Sequence, residues 1–269
     1  MLHTVRVTVM WPLSGRSSGP RALRQLLHGV DAVFFDFDGP VCDLFGKKPT
    51  AHIAEEIKVM ARLEWGALDR DVEDCHDSHG ILHRLRDMLD GTPAQRCREP
   101  LDEANTIVTR HEYDAVNSAV QAPDVEPLLD VLLDLRKRLV VVSNNAKEPV
   151  QRYLERTDLQ SRFEAVCGRD PREPRRMKPH PDAVRRALTA VGGMDPAKAL
   201  LVGDQLTDLQ AAKAAGIRFL GYTQDRRRLR RMKQHGADGV VASHAPVLVA
   251  ARALVDDYSC ERRLQTESK

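Results

Sequence analysis

Short apolar segments alternate with amphipathic segments along most of this 269-residue chain. Each apolar segment is rich in β-forming residues and ends at turn-forming or polar residues, which is typical of a strand buried on both faces. The predicted strands are Asp31–Phe37, Leu139–Ser143, Phe163–Cys167, Ala199–Val202, Ile217–Gly221 and Gly239–Ala242. The predicted helices are Pro149–Arg156, Pro181–Val191, Leu206–Ala215, Arg226–His235 and Pro246–Asp256. This alternation predicts βαβ units, and therefore an α/β fold built on a parallel sheet.

One long segment, residues 45–121, interrupts the alternation with helical periodicity and no predicted strand. Its apolar residues recur at helical spacing in three stretches, and residues 90–93 form a turn signal between them. We interpret the segment as a helical cap domain inserted over the carboxyl ends of the strands, where open α/β sheets bind ligands. The predicted division is a flexible leader (1–21), an α/β core (22–44 and 122–257), the helical cap (45–121) and an unstructured tail (258–269).

Composition and charge exclude several classes of protein. The chain has 41 Lys plus Arg against 39 Asp plus Glu, so it lacks the basic excess of an electrostatic nucleic-acid binder. No apolar run approaches the roughly 18 residues of a membrane span. The 5 cysteines form no CxxC pair, and Pro12 ends the short apolar run near the N-terminus, which disfavours a signal peptide. We therefore expect a cytoplasmic protein that binds neither nucleic acid nor membrane.

Four polar motifs follow predicted strands, at the edge where the carboxyl ends of parallel strands meet. Asp36-Phe37-Asp38-Gly39 offers two carboxylates and a glycine that permits a sharp turn. Ser143-Asn144-Asn145 offers a hydroxyl and backbone N–H groups near a helix N-terminus, a favourable arrangement for an anion. Lys178 supplies a cation, and the segment 203–208, which contains Asp204 and Asp208, supplies two more carboxylates.

Four carboxylates at one edge would repel one another unless a cation lay among them, and hard oxygen ligands favour Mg²⁺. The predicted metal ligands are Asp36, Asp38, Asp204 and Asp208. The predicted ligands of a phosphate group are Ser143, Asn144 and Lys178. With the charges neutralised in this way, Asp36 would attack phosphorus to form an aspartyl-phosphate. Asp38 would protonate the leaving oxygen and then activate water.

The ordered set of motifs resembles the haloacid dehalogenase-like hydrolase superfamily: DxDG at Asp36–Gly39, Ser143, Lys178 followed by Pro, and GDxxxD at Gly203–Asp208. The resemblance implies a Rossmann-like, doubly wound core with a helical cap between the first and second motifs, as in the phosphoglycolate phosphatase and β-phosphoglucomutase group. It also implies roles: Asp36 as nucleophile and metal ligand, Asp38 as acid/base and main-chain carbonyl ligand, Ser143 and Lys178 as phosphate ligands, Asp204 as metal ligand, and Asp208 as a metal ligand or its support.

The expected function is a Mg²⁺-dependent phosphatase acting on a small phosphorylated metabolite, as a monomer or homodimer. Pro40 stands where the family commonly has Thr, so we expect altered local hydrogen bonding with the chemistry intact. Haloacid dehalogenases lack the second aspartate of the first motif, because a leaving halide needs no proton. The presence of Asp38 therefore disfavours dehalogenation. Two alternatives remain open: a phosphomutase of the β-phosphoglucomutase type, and a non-catalytic protein that binds a ligand or partner.

Other conspicuous groups carry weaker predictions. Cys75, His79 and His83 recur every four residues and would suit zinc on one helix face, but Gly80 interrupts the helix and a fourth ligand is missing. Arginines concentrate in 169–178 and 226–231, where solvated surfaces are favoured over contacts with an anionic substrate or an acidic partner. The polar candidates on the cap side for substrate specificity are Asp43, Lys47, Arg84, Arg86 and His111.

Overall fold

The computed structural model describes residues 18–46, 49–91 and 96–267. The strands are β1 (Ala32–Phe35), β2 (Cys42–Asp43), β3 (Val120–Gln121), β4 (Arg138–Val142), β5 (Ala165–Cys167), β6 (Ala199–Gly203), β7 (Arg218–Tyr222) and β8 (Gly239–Val241). The helices are α1 (Pro20–His28), α2 (Ala51–Trp65), α3 (Arg70–Glu73), α4 (Gly80–Gly91), α5 (Glu99–Ser118), α6 (Val125–Asp134), α7 (Lys147–Arg156), α8 (Asp182–Ala190), α9 (Leu206–Ala215), α10 (Arg226–Gln234) and α11 (Ala245–Glu267).

A parallel six-stranded sheet, ordered β5-β4-β1-β6-β7-β8, forms the centre of the molecule. Phe34 of β1 pairs in register with Val140 of β4 and with Leu201 of β6, so β1 is bordered by the two strands that lead into later motifs. The chain order runs outward from β1 in both directions, which leaves a switch point at the carboxyl ends of the central strands. The predicted α/β fold with a doubly wound parallel sheet is confirmed.

Helices cover both faces of the sheet because successive strand residues point to opposite sides. Val33 and Phe35 pack with α1, α6, α7 and α11, whereas Ala32 and Phe34 pack with α8, α9 and α10. Strands buried on both faces need apolar side chains at every position, which is why β1 appears in the sequence as a continuous apolar run.

The helices α2 to α5, which we call the cap helices, share a separate apolar cluster. Its fully buried members include Ile53, Ile57, Ile81, Leu82 and Val108, the residues whose helical spacing marks the segment in the sequence. A two-stranded antiparallel ribbon, β2 with β3, joins the chain before the cap helices to the chain after them. The expectation of no strand in residues 45–121 is therefore wrong at β3, because a two-residue strand leaves no periodicity to detect.

Three helices depart from the sequence predictions. Neither α1 nor α6 was predicted, and α1 begins inside the expected leader, of which residues 1–17 lie outside the described part of the chain. Helix α11 continues to Glu267 and so extends through most of the expected unstructured tail. Of the predicted turn at 90–93, residues 92 and 93 lie outside the described ranges.

None of the helices within the described ranges combines the length and apolarity that a bilayer crossing requires.

Candidate active site

A pocket of about 500 Å³ lies at the carboxyl ends of the central strands, between the sheet and the cap helices. Core residues from all four motifs line it, namely Asp36, Asp38, Asn144, Lys178, Asp204 and Asp208. Cap residues complete the lining, including Thr50, Ser78, His79 and His83. Side chains separated by up to 172 positions in the chain, from Asp36 to Asp208, thus meet in one concave site, as the parallel topology predicts.

Lys178 lies at the centre of the charged groups. Its Nζ is 2.7 Å from Asp36 Oδ1 and 2.7 Å from Asp208 Oδ1, and it donates to the carbonyl oxygen of Val142 at 3.2 Å. All three charged side chains are buried. Burial opposes the charged form of Lys178, but the adjacent carboxylates raise the pKa of its ammonium group above the ordinary value. Lys178 is therefore a permanent cation at the pocket floor.

The second motif forms a tight turn after β4. Ser143 is almost fully buried, and its hydroxyl donates to Asn145 Oδ1 at 2.8 Å while accepting from Asn145 N at 3.1 Å. Asn144 accepts from Lys178 N at 2.7 Å and donates through Nδ2 to the Lys178 carbonyl at 3.2 Å. The side chain of Asn144 thus places the lysine, a contact that the sequence motif did not predict.

Three carboxylates lie close enough to share one cation. Asp36, Asp204 and Asp208 offer oxygen atoms that all lie within 4.8 Å of one another. The Asp38 side chain stands apart from them, because its Oδ1 accepts from Leu44 N at 2.9 Å. This separation is compatible with the implied use of the main-chain carbonyl of Asp38. A compact set of hard oxygen donors fits Mg²⁺.

Two glycines permit this crowding of carboxylates. Gly39 has a φ of 107°, and a Cβ atom at this position would lie 2.9 Å from Asp204 Cγ. A Cβ atom on Gly203 would lie 2.6 Å from the Cβ of Asp208. Any other residue would push the carboxylates of the fourth motif away from Asp36. The glycines of the DxDG and GDxxxD patterns are thus spatial requirements of the site.

The ionised forms of these carboxylates are disfavoured in the absence of a metal ion. Burial, and then the charge of Asp208, raise the pKa of Asp36 from 3.8 to about 7 against the opposing effect of Lys178. Burial together with Asp208 and Asp36 raises the pKa of Asp204 to about 8. Burial also raises the pKa of Asp38. Such a concentration of perturbed acids in a concave site is typical of catalytic centres.

We predict that Asp36→Asn stabilises the metal-free protein increasingly as the pH rises. Between 3.8 and about 7, folded Asp36 retains a proton that the unfolded chain has released, so the wild-type free energy of unfolding falls with pH across this interval. Asparagine removes this ionisation. Urea unfolding of both proteins in EDTA should give equal stability near the acidic end and a more stable variant near the neutral end. A variant advantage that shrinks with rising pH would contradict the raised pKa.

Residues 30–216 match the family described as haloacid dehalogenase-like hydrolase. This match spans well over half of the chain and contains all four motifs. The chain belongs to the haloacid dehalogenase-like hydrolases. The family that the motifs indicated is thereby confirmed.

Several known proteins are similar to this hydrolase. A phosphoglycolate phosphatase of Salmonella typhimurium is 35% identical over 216 residues, which cover 73% of this chain and 82% of the relative. The pyrophosphatase PpaX of Bacillus velezensis is 28% identical over 199 residues, which cover 71% and 82%. The crystal structure of CbbY from Rhodobacter sphaeroides in complex with phosphate shares the fold, with a TM-score of 0.54 at 21% identity over 80% of this chain and 95% of that one.

The main-chain carbonyl of Pro40, the residue at which this hydrolase departs from the family pattern, has a buried partner. His244 is fully buried, and its Nε2 lies 2.6 Å from the Pro40 carbonyl oxygen. Burial lowers the pKa of His244, so its neutral form can donate this hydrogen bond. The turn after Asp38 is thus held through its main chain by a residue from beyond β8.

A buried carboxylate on cap helix α5 connects the cap to the core. Glu112 has no exposed surface, and its two oxygens accept from Asn145 Nδ2 at 3.1 Å, Ala146 N at 3.0 Å and Arg169 Nη1 at 2.5 Å. It also lies 3.0 Å from Nε2 of His79, which lines the pocket. Burial alone would raise the pKa of Glu112, but Arg169 and His79 lower it below the ordinary value. The carboxylate is therefore charged and fully paired.

The sequence contains a signal for the buried position of Glu112. Leu101, Val108, Glu112 and Val116 are all buried on α5, so the glutamate continues the apolar stripe of that helix. A charged residue on a buried face requires a partner. Its partner, Arg169, lies 57 residues further along the chain and also contacts Asn105 and Thr109. Helical periodicity can reveal the buried carboxylate but not the arginine.

Four of the five cap-side candidates lie in the described part of the chain, and none of those four lines the pocket. Arg86 pairs with Asp90 and Glu173, and His111 lies 2.7 Å from Glu56. Asp43 and Arg84 are absent from the described lining, and Lys47 lies outside the described residues. The polar residues that the cap segment does contribute to the pocket lining include Ser78, His79 and His83. Helical periodicity does not show the direction of long polar side chains such as Arg86, because each has several possible partners.

Two further sets of residues remain from the sequence: the Cys75, His79 and His83 set, and the arginines of 169–178. Helix α4 begins at Gly80, so Cys75 and His79 precede it, and among the described residues the only metal-compatible cluster is Asp36, Asp204 and Asp208. The zinc alternative therefore gains no support. The arginine-rich stretch holds the cap helices: Arg175 pairs with Asp90 of α4, and the Arg172 carbonyl accepts from Arg86 and Arg98.

Proposed function

We propose that this haloacid dehalogenase-like hydrolase is a Mg²⁺-dependent phosphatase that cleaves a small-molecule phosphomonoester through an aspartyl-phosphate intermediate. The observation that carries the proposal is the position of Asp36. This carboxylate lies at the end of β1, 2.7 Å from the Lys178 ammonium group and within the three-carboxylate cluster. A nucleophile, a fixed cation and a set of oxygen donors for a metal converge there, which is the arrangement that phosphoryl transfer requires.

The contacts of Asp36 hold one of its carboxylate oxygens in place. Its Oδ1 accepts from Phe37 N at 2.7 Å and lies 2.7 Å from Lys178 Nζ, so the other oxygen, Oδ2, would be the attacking atom. In the first step, an Asp36 oxygen bonds to phosphorus as the bond from phosphorus to the leaving oxygen breaks. Mg²⁺ held by Asp36, Asp204, Asp208 and the Asp38 carbonyl would offset charge on the phosphoryl oxygens.

Asp38 is suited to transfer the proton in both steps. Burial raises the pKa of its carboxyl group, so it retains a proton to a higher pH than an ordinary aspartate. Its proton passes to the leaving oxygen in the first step. In the second step the carboxylate accepts a proton from water as the water oxygen attacks phosphorus, which releases phosphate and restores Asp36. The hydrogen bond from Leu44 N fixes one Asp38 oxygen and leaves the other for this exchange.

The proposed substrate is a small phosphorylated metabolite. The pocket volume of about 500 Å³ is suited to a small molecule. The names of the relatives, phosphoglycolate phosphatase and pyrophosphatase, support the same class. We also propose that residues 45–121 act as a cap over a core formed by 22–44 and 122–257, excluding water from the aspartyl-phosphate until the first product departs.

A panel of phosphate esters tests the proposal. It includes p-nitrophenyl phosphate, phosphoglycolate, sugar phosphates, nucleotides and pyrophosphate, each assayed with Mg²⁺ and with EDTA. We expect phosphate release that requires Mg²⁺ and is strongest for one small substrate. Transfer of phosphate to a second sugar in place of release would indicate the phosphomutase alternative. No activity on any ester would favour a non-catalytic binding protein.

A further inference from the structure

One arginine of the basic helix α10 contacts a residue of the candidate active site. Arg226, Arg227, Arg230 and Arg231 are exposed, as expected for a solvated charged face. Arg228 differs from them, because its Nη1 donates to the main-chain oxygen of Asp204 at 3.2 Å and to Asp204 Oδ2 at 2.9 Å. The helix therefore directs one of its cations to a carboxylate of the fourth motif.

The two oxygens of Asp204 have different surroundings. Oδ2 accepts from Arg228 Nη1 and also from Gln205 Nε2 at 2.8 Å. Within the described part of the chain, no hydrogen bond reaches Oδ1, which lies close to Gly39. Donors on Oδ2 would repel a cation from that oxygen. Because both donors contact Oδ2, Oδ1 is the Asp204 oxygen that can bind a metal ion.

Arg228 is held in place by the start of its own helix. The Asp225 carboxylate caps α10 by accepting from Arg227 N at 2.7 Å and Arg228 N at 3.2 Å. Thr223 Oγ1 accepts from Asp225 N at 3.2 Å, and the helix packs on the sheet through the fully buried Met232. A capped and packed helix presents the guanidinium group in one position rather than as a free surface charge.

We infer that Arg228 is a positioning residue: it holds Oδ2 of Asp204 so that this carboxylate binds the divalent cation through Oδ1 alone. The inference rests on the metal site of the proposed function and adds a residue outside the four motifs. Hydrogen-bonded partners of metal ligands commonly change metal affinity by about 10- to 100-fold when they are removed. If Arg228 acted only as a nearby positive charge, its removal would instead strengthen cation binding.

Direct metal binding distinguishes these possibilities. Mn²⁺ titration of the full chain, followed by electron paramagnetic resonance of the free ion, measures affinity without relying on turnover. We expect Arg228→Gln to weaken Mn²⁺ binding by about 10-fold. Arg227→Gln removes an equal charge from the adjacent, exposed position and should leave the affinity unchanged. Equal thermal unfolding of the metal-free proteins would show that both variants fold.

Turnover gives a second measurement. Raising the Mg²⁺ concentration should restore the activity of Arg228→Gln, since the variant lacks metal affinity rather than a reacting group. Affinity equal to or tighter than that of the wild type would overturn the inference. If the wild-type protein itself binds no Mn²⁺, the proposed metal site fails as well, so the two failures are distinguishable.

Discussion

Asp36→Asn is expected to reduce turnover of p-nitrophenyl phosphate by at least about 10³-fold, the scale of loss when a catalytic nucleophile is removed. The amide nitrogen and oxygen are poor nucleophiles, so the aspartyl-phosphate cannot form. Steady-state release of p-nitrophenol in saturating Mg²⁺ measures the effect. The variant changes Asp36 alone, so the neighbouring charges of Lys178 and Asp208 remain in place.

Asp31→Asn provides the matched control. Asp31 is exposed and precedes β1 at the end of the strand opposite to Asp36, so the same chemical change is made outside the pocket. Its activity should equal that of the wild type. Asp36→Asn activity within tenfold of the wild type would refute the nucleophile assignment. Retained or increased stability of that variant in EDTA would show that the loss is chemical and not due to unfolding.

Arg169→Met is expected to lower the free energy of unfolding by about 3–5 kcal/mol, the usual effect of removing one partner from a buried ion pair. Both side chains of the pair Glu112 and Arg169 are essentially inaccessible to solvent, so water cannot compensate for the lost charge. The substitution leaves Glu112 without its guanidinium partner at the boundary between α5 and the turn after β4. Urea unfolding at neutral pH measures the difference.

Two further variants isolate the charge. Arg172→Met changes an exposed arginine of the same segment, and its stability should match that of the wild type. Combining Arg169→Met with Glu112→Gln should recover part of the loss, because no unpaired charge then remains buried. A loss below 1 kcal/mol for Arg169→Met, or no recovery in the double variant, would contradict the assigned role of the pair.

The core of the fold was predictable because its strands are buried on both faces. In β1 the need for apolar side chains at every position creates a continuous run that ends at Asp36. The parallel topology then requires the motif residues after β1, β4 and β6 to meet at one edge. The cap helices were equally visible from the spacing of their buried residues. Short elements such as β2 and β3 lacked enough residues to show a period.

Some features of the candidate site could also be predicted from the sequence, and others could not. Asp36, Lys178 and Asp208 lie within motifs whose residue types and order already indicate phosphoryl chemistry. Asn144 lines the pocket, and its contact with phosphate stays a prediction. Its side chain is engaged with the Lys178 backbone, a contact that no motif indicates. Side-chain direction after a turn depends on the partner that packs against it, and no local pattern encodes that partner.

The sequence by itself determined the sheet, the helical insertion and the four motifs, since strand burial, helical periodicity and turn chemistry are local properties of the chain. Only the tertiary structure decided which distant charges meet. Arg228 reaches Asp204 across 24 residues, and Arg169 reaches Glu112 across 57. Such contacts depend on how α10 and α5 pack on the core, and packing is a property of the whole fold rather than of any one segment.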